Sequence, residues 1–335
     1  MAHQPVEIMV EGSAPLDIKE KNFVGGLVDY EDVNVKRSKT STNKRAKAMQ
    51  ILCGLPEMQT PKRRYSMARA CLLEFCFVAL FFYMHIMIVN VGLAFFSVPS
   101  LAIGLGHVFV VPVFIWCAGP GSGGHLVNTI TIATTMTGHT SWLRCIFYLI
   151  SQILGSLVGV WLTYQSIGWD FSNMTDEQIT AHVYLHLAGC SLGSHTVNSA
   201  LMQEFMATLV LLCGAYGIAF DPMNSKLFGP LLGPPLIGMW LGLLIFVTSA
   251  SSPTPASPPG MTFHICLAPA VVSGYMPDFL WIYLLGPFLA ALFHSVIFYV
   301  APPEHNEEGC FSPPLLREAV TDEDPKKDSL VSSRL

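Results

Sequence analysis

Positive charge is almost absent from the middle of this 335-residue chain. Of its 18 Lys and Arg residues, 12 lie at or before Arg69 and four at or after Arg317, so the 247 residues between them contain only Arg144 and Lys226. A soluble domain of this length would carry cations on its surface, whereas apolar runs of about 20 residues with few charges are typical of transmembrane helices. The charge distribution therefore predicts a polytopic membrane protein.

Six apolar runs in this region are long enough to cross a bilayer. We predict spans at about 70–94, 98–118, 142–165, 198–220, 230–250 and 279–300. Basic clusters precede the first run, and cytoplasmic segments are enriched in Lys and Arg, so we place the N-terminus in the cytoplasm. Six crossings then put both termini, Arg144 and Lys226 on the cytoplasmic side of the plasma membrane or of an internal membrane.

The two ends of the chain are predicted to be tails. Residues 1–66 mix acidic, basic and turn-forming residues without sustained periodicity, which indicates a mostly disordered cytoplasmic tail. They contain no apolar region typical of a cleavable signal peptide. The transmembrane domain is expected at 67–301, with a second cytoplasmic tail at 302–335. The basic clusters of the first tail act either as a topology signal alone or also as contacts to anionic lipid.

The longest loop between spans, at about 166–197, lies outside the cytoplasm in this topology. It contains Asn173-Met174-Thr175, which matches the acceptor triplet for N-linked glycans. His182 and His186 stand four residues apart with His195 nearby, which suits either a metal on a helix face or, more commonly, solvated loop histidines. We expect the solvated state, and no metal, cofactor or nucleic-acid partner.

Cysteine usage gives no framework of disulfides. The nine Cys fall mostly in apolar segments, where a small buried thiol is the ordinary state. The chain shows no short-spaced Cys/His cluster of the zinc type. Buried free thiols are therefore expected in the apolar segments, at Cys71, Cys76, Cys145 and Cys213.

Two polar stretches, Gly119–Thr131 and Gly260–Val271, interrupt the apolar region. The first begins with helix-breaking Gly, Pro and Ser residues and continues into a β-branched apolar run. Inside a bilayer, irregular backbone survives only where protein buries it or where it lines a wet cavity. We therefore predict that each stretch is a loop followed by a half-helix, and that the pair forms a pore.

The chain also repeats itself with a spacing of about 135 residues. Tyr148-Leu149 matches Tyr283-Leu284 and Gly124–Thr129 matches Pro259–His264 at this spacing, and Leu73-Glu74-Phe75 occupies the same depth in its span as Gln203-Glu204-Phe205. Two copies of three spans must face opposite ways because three is odd. This inverted 3+3 repeat predicts a functional site near the midplane, where the copies meet.

Glu74 and Glu204 are carboxylic acids inside apolar helices, at matched positions of the repeat. Each costs about 2.5–3.5 kcal/mol at the centre of a bilayer, so each needs a compensating role. One role is a proton relay; the other is to accept hydrogen bonds from free N–H groups of a re-entrant loop. Their matched positions favour loop anchoring.

Over residues 68–300 the chain resembles the aquaporin, or major intrinsic protein, family. The first loop of that family reads Ser-Gly-Ala-His-Leu-Asn-Pro-Ala-Val-Thr, and here it reads Ser122-Gly-Gly-His-Leu-Val-Asn-Thr-Ile-Thr131. Further family motifs are matched in order by Arg144, Tyr148, Gln152 and Gly155, by Glu204 and Thr208, by Ala268-Pro269-Ala270, and by Trp281, Tyr283, Gly286 and Pro287.

The resemblance implies an all-α membrane protein with six transmembrane helices plus two re-entrant half-helices in an inverted 3+3 repeat. In the family the positive N-terminal ends of the half-helices point at one spot. Members usually assemble as homotetramers with one pore per subunit, in the lipid bilayer. Each pore conducts water or a small neutral solute such as glycerol.

The departures from the family fall on its pore residues. Aligned on His125, the first Asn-Pro-Ala box is replaced by Val127-Asn128-Thr129, so the Asn has moved by one position and reaches the lumen only if the loop shifts. The second box is replaced by Thr262-Phe263-His264, where Thr262 suits a helix cap and Phe263 a constriction. Ile265 stands where the family has its selectivity Arg, and its neighbour His264 is either a titratable donor or a neutral partner. The sequence contains no further Lys or Arg in the membrane to replace that Arg.

These observations favour an aquaporin-like channel for facilitated diffusion of water or a small uncharged solute, with altered pore selectivity. The alternative is a non-conducting scaffold or interaction protein with the aquaporin fold, acting through its tails. The sequence shows no catalytic constellation, so an enzyme is not expected.

Overall fold

The computed structural model describes residues 50–168, 175, 186–193, 195–249 and 258–300, and all regular secondary structure in these ranges is helical. In chain order the helices are α1 (Leu55–Met58), α2 (Pro61–Phe95), α3 (Pro99–Ser122), α4 (Asn128–Met136), α5 (Trp142–Ile167), α6 (Val197–Ala215, extended by a π-helical turn Tyr216–Phe220), α7 (Pro222–Ser249), α8 (Phe263–Ser273) and α9 (Ile282–Val300).

Six of these helices are long and apolar enough to span a bilayer, as the sequence predicts. They are α2, α3, α5, α6 with its π-helical turn, α7 and α9. Their outward faces carry large apolar side chains such as Phe109 and Leu292, which suit contact with lipid. The two shorter helices, α4 and α8, follow the polar stretches and are the expected half-helices.

The first span begins earlier than the sequence suggested. Thr60 caps α2 by accepting a hydrogen bond from the backbone N–H of Arg63, and Pro61 occupies the first helical turn. The short helix α1 precedes it, so most of the described residues at 50–66 are helical and the prediction of a disordered tail is wrong there. The rest of that tail, the C-terminal tail and Asn173 lie outside the described residues.

Residue Glu57 of α1 links the end of this tail to the loop before α5. Its Oε1 accepts hydrogen bonds from Ser141 Oγ at 2.9 Å and from Arg144 Nε at 3.4 Å. Arg144 in turn lies over the ring of Tyr148, 5.7 Å from its centroid. The basic residue that marks this loop is therefore held inside the protein, with 8% of its surface exposed.

The inverted repeat is visible in the packing of the long helices. α2 packs against α5 in the first copy, and α6 packs against α9 in the second, while α3 and α7 form the main contact between the copies. At that contact Gly104 and Gly242 face each other so closely that a Cβ on Gly242 would lie 2.5 Å from the Gly104 carbonyl oxygen. At this point the two copies meet backbone to backbone, and larger apolar side chains pack on either side of it.

One disulfide bond departs from the expected pattern of free thiols. Cys190, in the loop before α6, is bonded to Cys266 of the half-helix α8, with their Cα atoms 5.3 Å apart. The Cys in apolar segments are free, as predicted, but Cys76 and Cys213 are exposed on the outer faces of the helices rather than buried. Spacing along the chain gave no signal for this pair, because 76 residues separate its members.

Candidate functional site: a pore between two half-helices

Glu74 and Glu204 hold the two loops that lead into the half-helices. Glu74 accepts hydrogen bonds from the backbone N–H groups of His125 (3.1 Å) and Leu126 (2.9 Å), and also from Ser122 Oγ and Gln152 Nε2. Glu204 accepts from the backbone N–H groups of Gly260 (2.7 Å) and Met261 (3.0 Å). Both side chains are buried, so each carboxyl satisfies loop donors that lipid would leave unpaired.

Each loop contains one non-glycine residue in the left-handed backbone region, next to the N-cap of its half-helix. Leu126 has φ 58° and Met261 has φ 53°, and these residues are 135 positions apart. Side chains other than Gly rarely adopt this conformation and it costs about 1–3 kcal/mol. The Glu carboxyl groups bond the N–H of these same two residues, and so they hold the turn that starts each half-helix.

The half-helices begin one residue after Val127 and Thr262, which occupy the N-cap positions in extended conformation. These are the positions that the alignment assigns to the Asn of each family box. Thr262 does not cap its helix through its side chain; its Oγ1 lies 3.0 Å from His264 Nδ1 instead. A hydrogen bond of 2.7 Å from Thr129 Oγ1 to the Met261 carbonyl joins the two loops.

Asn128 is turned away from the lumen. Its Nδ2 donates to Gln152 Oε1 at 3.0 Å, and 4% of the residue is exposed. As the first residue of α4, it points about 100° away from the N-cap side chain, towards α5. The loop has not shifted to compensate, so Asn128 does not supply an amide to a passing solute.

A cavity of about 240 Å³ passes the ends of both half-helices. Its wall includes Leu93 near the C-terminal end of α2 and Ser225 near the N-terminal end of α7. Of the predicted pore residues, His125, Val127, Thr262 and Ile265 line it, whereas Asn128, Thr129, Phe263 and His264 are not among its described lining residues. Val127, Thr262 and Ile265 therefore stand where the family places amide and guanidinium donors.

His264 is buried on its half-helix away from the described cavity wall, whereas His125 lines the cavity next to the other half-helix. The ring of His264 packs 5.0 Å from that of Phe82, and the residue is fully buried. His125 Nδ1 lies 3.1 Å from Thr131 Oγ1, and its ring meets the ring of Tyr148 edge-on. His264 is thus packed inside the protein and does not present its ring to the described cavity.

Two lining residues, His85 of α2 and His107 of α3, were missed by the sequence interpretation. His85 Nδ1 lies 2.9 Å from His107 Nε2, and both residues line the cavity. A histidine inside an apolar span is itself a signal, because polar residues in the membrane usually face the interior of the bundle or a water-filled cavity.

The histidines of the loop before α6 were the candidates for a metal site. His182 lies outside the described residues, and the described residues contain no group of side chains that would hold a metal ion. His195 lies in the loop before α6, with Nδ1 3.2 Å from Ser199 Oγ. The metal alternative at the outer loop thus receives no support from the described part of the chain.

Six membrane-spanning helices, two half-helices that meet near the middle and a cavity along their ends define a membrane channel of the aquaporin fold. The sequence profile described as "Major intrinsic protein" matches residues 62–298, and the chain belongs to that family. Its members are channels, so the expectation of a channel-class protein rather than an enzyme is confirmed.

Individual relatives agree with this assignment. The chain is 27% identical to Aquaporin-2 of Ovis aries over 248 residues, which cover 72% of this chain and 82% of that protein. It is 29% identical to Aquaporin TIP2-3 of Arabidopsis thaliana over 199 residues, or 59% of this chain and 70% of the relative. The fold resembles the solved aquaglyceroporin of Plasmodium falciparum, with a TM-score of 0.57 and 16% identity, over 69% of this chain and 95% of that one.

Proposed function

We propose that this protein is a channel for a small uncharged solute, with weaker preference for water than the usual family pore provides. The observation that carries the proposal is the replacement of lumen donors at both half-helix ends. Val127, Thr262 and Ile265 line the cavity where two amides and a guanidinium are expected from the family pattern. When hydrogen-bonding groups are removed from the pore wall, water loses more stabilising interactions there than a solute that also has apolar surface.

The positive ends of the half-helices supply the remaining electrostatic field. Both N-cap residues line the cavity, so the N-terminal dipoles of α4 and α8 act on the same region. This field disfavours cations even without the family Arg. The solute is therefore proposed to be neutral.

A flux assay tests this function directly. Liposomes containing the protein are exposed to an osmotic gradient for water, or to a concentration gradient of glycerol or urea. The change in vesicle volume is followed by light scattering. We expect flux of at least one neutral solute above that of protein-free vesicles. Ile265→Trp should abolish it by filling the cavity wall, while Leu292→Trp, on the outer face of α9, should leave it unchanged.

The same assay separates the channel from the alternative scaffold. If a folded wild-type protein passes none of these solutes, the channel proposal fails and the scaffold role, acting through the tails, becomes the better hypothesis. Equal loss in both Trp variants would show that the Ile265 change acts through folding rather than through the lumen.

We further propose cytoplasmic termini, a homotetramer and a glycan on Asn173. The distribution of Lys and Arg supports the first, and family membership together with the apolar outer faces of the long helices supports the second. Tags beside Asn173 and Lys226 should report opposite sides in a protease-protection assay, and both tags on one side would refute this topology. Cross-linking in the membrane tests the tetramer, and glycosidase treatment tests the glycan.

A further inference from the structure

His85 and His107 form a pair in the cavity wall that no family motif explains. His85 of α2 has 9% of its surface exposed and His107 of α3 has 2%, and both line the cavity. The ring of Phe81 stacks on His85 at a centroid distance of 6.3 Å and meets His107 edge-on at 6.4 Å. The two imidazoles are thus fixed in place by packing as well as by the hydrogen bond between them.

The hydrogen bonds of this pair determine where each proton sits when both rings are neutral. His107 Nδ1 lies 2.8 Å from the Ile103 carbonyl oxygen, which only accepts, so this nitrogen carries the proton. His107 Nε2 is then a lone-pair acceptor. The contact of 2.9 Å with His85 Nδ1 therefore requires that His85 also carries its proton on Nδ1.

This chain of two bonds leaves His85 Nε2 as an acceptor on a residue of the cavity wall. His85 Nε2 forms no hydrogen bond with any of the described residues. It is also not one of the polar atoms that are completely buried without a partner. The polar side chains among the described lining residues are His85, His107, His125, Ser225 and Thr262. The ring N–H of His85 donates to His107, and the ring N–H of His107 donates to the Ile103 carbonyl. The pair therefore offers no donor to the lumen.

We propose that His85 is a specificity-determining residue, and that its Nε2 selects neutral solutes that carry N–H or O–H donors, such as urea-like amides or polyols. A solute that has hydrogen-bond acceptors but no donors cannot form a hydrogen bond with this pair. The inference rests on the proposed channel function, and it adds the direction of the hydrogen bond that the solute must make.

The protonation pattern is measurable whether or not the channel conducts. Protein labelled with ¹⁵N-histidine in lipid is studied by solid-state NMR, and the signals are assigned by their loss in His85→Phe and His107→Phe. We expect the Nδ1–H tautomer at both residues, which is the minor form of free neutral histidine. An Nε2–H tautomer at either residue would overturn the inference even if the protein proved to be a good channel.

Selectivity is tested with two poorly membrane-permeant neutral probes, urea and trimethylamine N-oxide, the second of which has no donor. His85→Phe retains an aromatic ring on Phe81 but removes the acceptor, and one lost hydrogen bond corresponds to about a 2- to 10-fold change. We expect urea permeability to fall by about this factor, with that of trimethylamine N-oxide unchanged. His85→Gln, whose amide donates to His107 and retains an acceptor oxygen, should restore most of the urea flux.

The control is His294→Phe on α9, because His294 is a buried histidine outside the described cavity wall. It should change neither permeability. Equal loss of both probes in His85→Phe, or unchanged urea flux, would overturn the role of His85. If wild-type protein with the expected tautomers conducts water or glycerol but neither probe, the selective role of His85 is refuted while the channel function stands. If it conducts none of these solutes, the channel function itself fails, and the selective role of His85 fails with it.

Discussion

Removing the carboxyl of Glu204 should destabilise the protein far more than converting it to an amide. Glu204→Leu leaves the backbone N–H groups of Gly260 and Met261 without their acceptors. A buried unpaired donor costs about 1–3 kcal/mol, so the pair costs about 2–6 kcal/mol. That is a large share of a typical total stability of about 5–15 kcal/mol. Glu204→Gln keeps one oxygen and should lose about half as much.

Glu74→Leu is expected to cost more than Glu204→Leu, because Glu74 accepts twice as many bonds. Ser122 Oγ keeps its bond to the Ala118 carbonyl, and one N–H of the Gln152 amide keeps its bond to Thr131 Oγ1. The backbone N–H groups of His125 and Leu126 and the second N–H of the Gln152 amide are left unpaired, which gives about 3–9 kcal/mol.

The assay is thermal unfolding of detergent-solubilised protein, followed by fluorescence-detected size exclusion, together with the yield in membranes. For each site the order wild type, Gln variant, Leu variant is expected. Gln203→Leu is the control, because it precedes Glu204 and leaves both loop N–H groups bonded. If either Glu→Leu variant unfolds at the same temperature as wild type, these carboxyl groups do not anchor the loops.

Three further changes test the architecture. Cys190→Ser, which removes the disulfide, should lower stability by about 2–5 kcal/mol, and reductant should lower the unfolding temperature of wild type but not of the variant. Gly242→Ala should prevent folding because its Cβ meets backbone, whereas Gly217→Ala, with no atom within 4 Å of its added Cβ, should be tolerated; expression and monodispersity report both. Replacing Val127–Thr129 by Asn-Pro-Ala together with Thr262–Ile265 by Asn-Pro-Ala-Arg should raise water permeability; no gain from a well-folded variant would show that these positions do not set the filter.

The sequence predicts the frame of this protein well because the frame follows from local composition and from the repeat. The spans are visible as apolar runs, and the matched acids indicate which helices face the loops. Aligning the two boxes by the repeat placed Val127 and Thr262 at equivalent positions, and both are N-caps in the structure. The apolar runs depend only on residues that are adjacent in the chain, and the matched positions depend only on the spacing of the repeat.

What the sequence does not reveal depends on directions of side chains and on contacts between distant segments. The orientation of Asn128 towards Gln152 depends on the angle at which α4 leaves its loop. The His85–His107 pair needs α2 and α3 to place two rings at the same height. Neither the Asn128–Gln152 contact nor the His85–His107 contact produces a periodic pattern or a repeated spacing in the sequence.

The disulfide between Cys190 and Cys266 has a consequence for the biosynthesis of the protein. Disulfides form and persist in oxidising compartments, so this bond must be closed on the side of the membrane remote from the cytosol. Cys266 lies beside Ile265, and Cys190 itself lines the cavity. The wall of the lumen is therefore completed by oxidation after its segments have crossed the bilayer, and a copy retained in reducing surroundings would carry an unfinished pore.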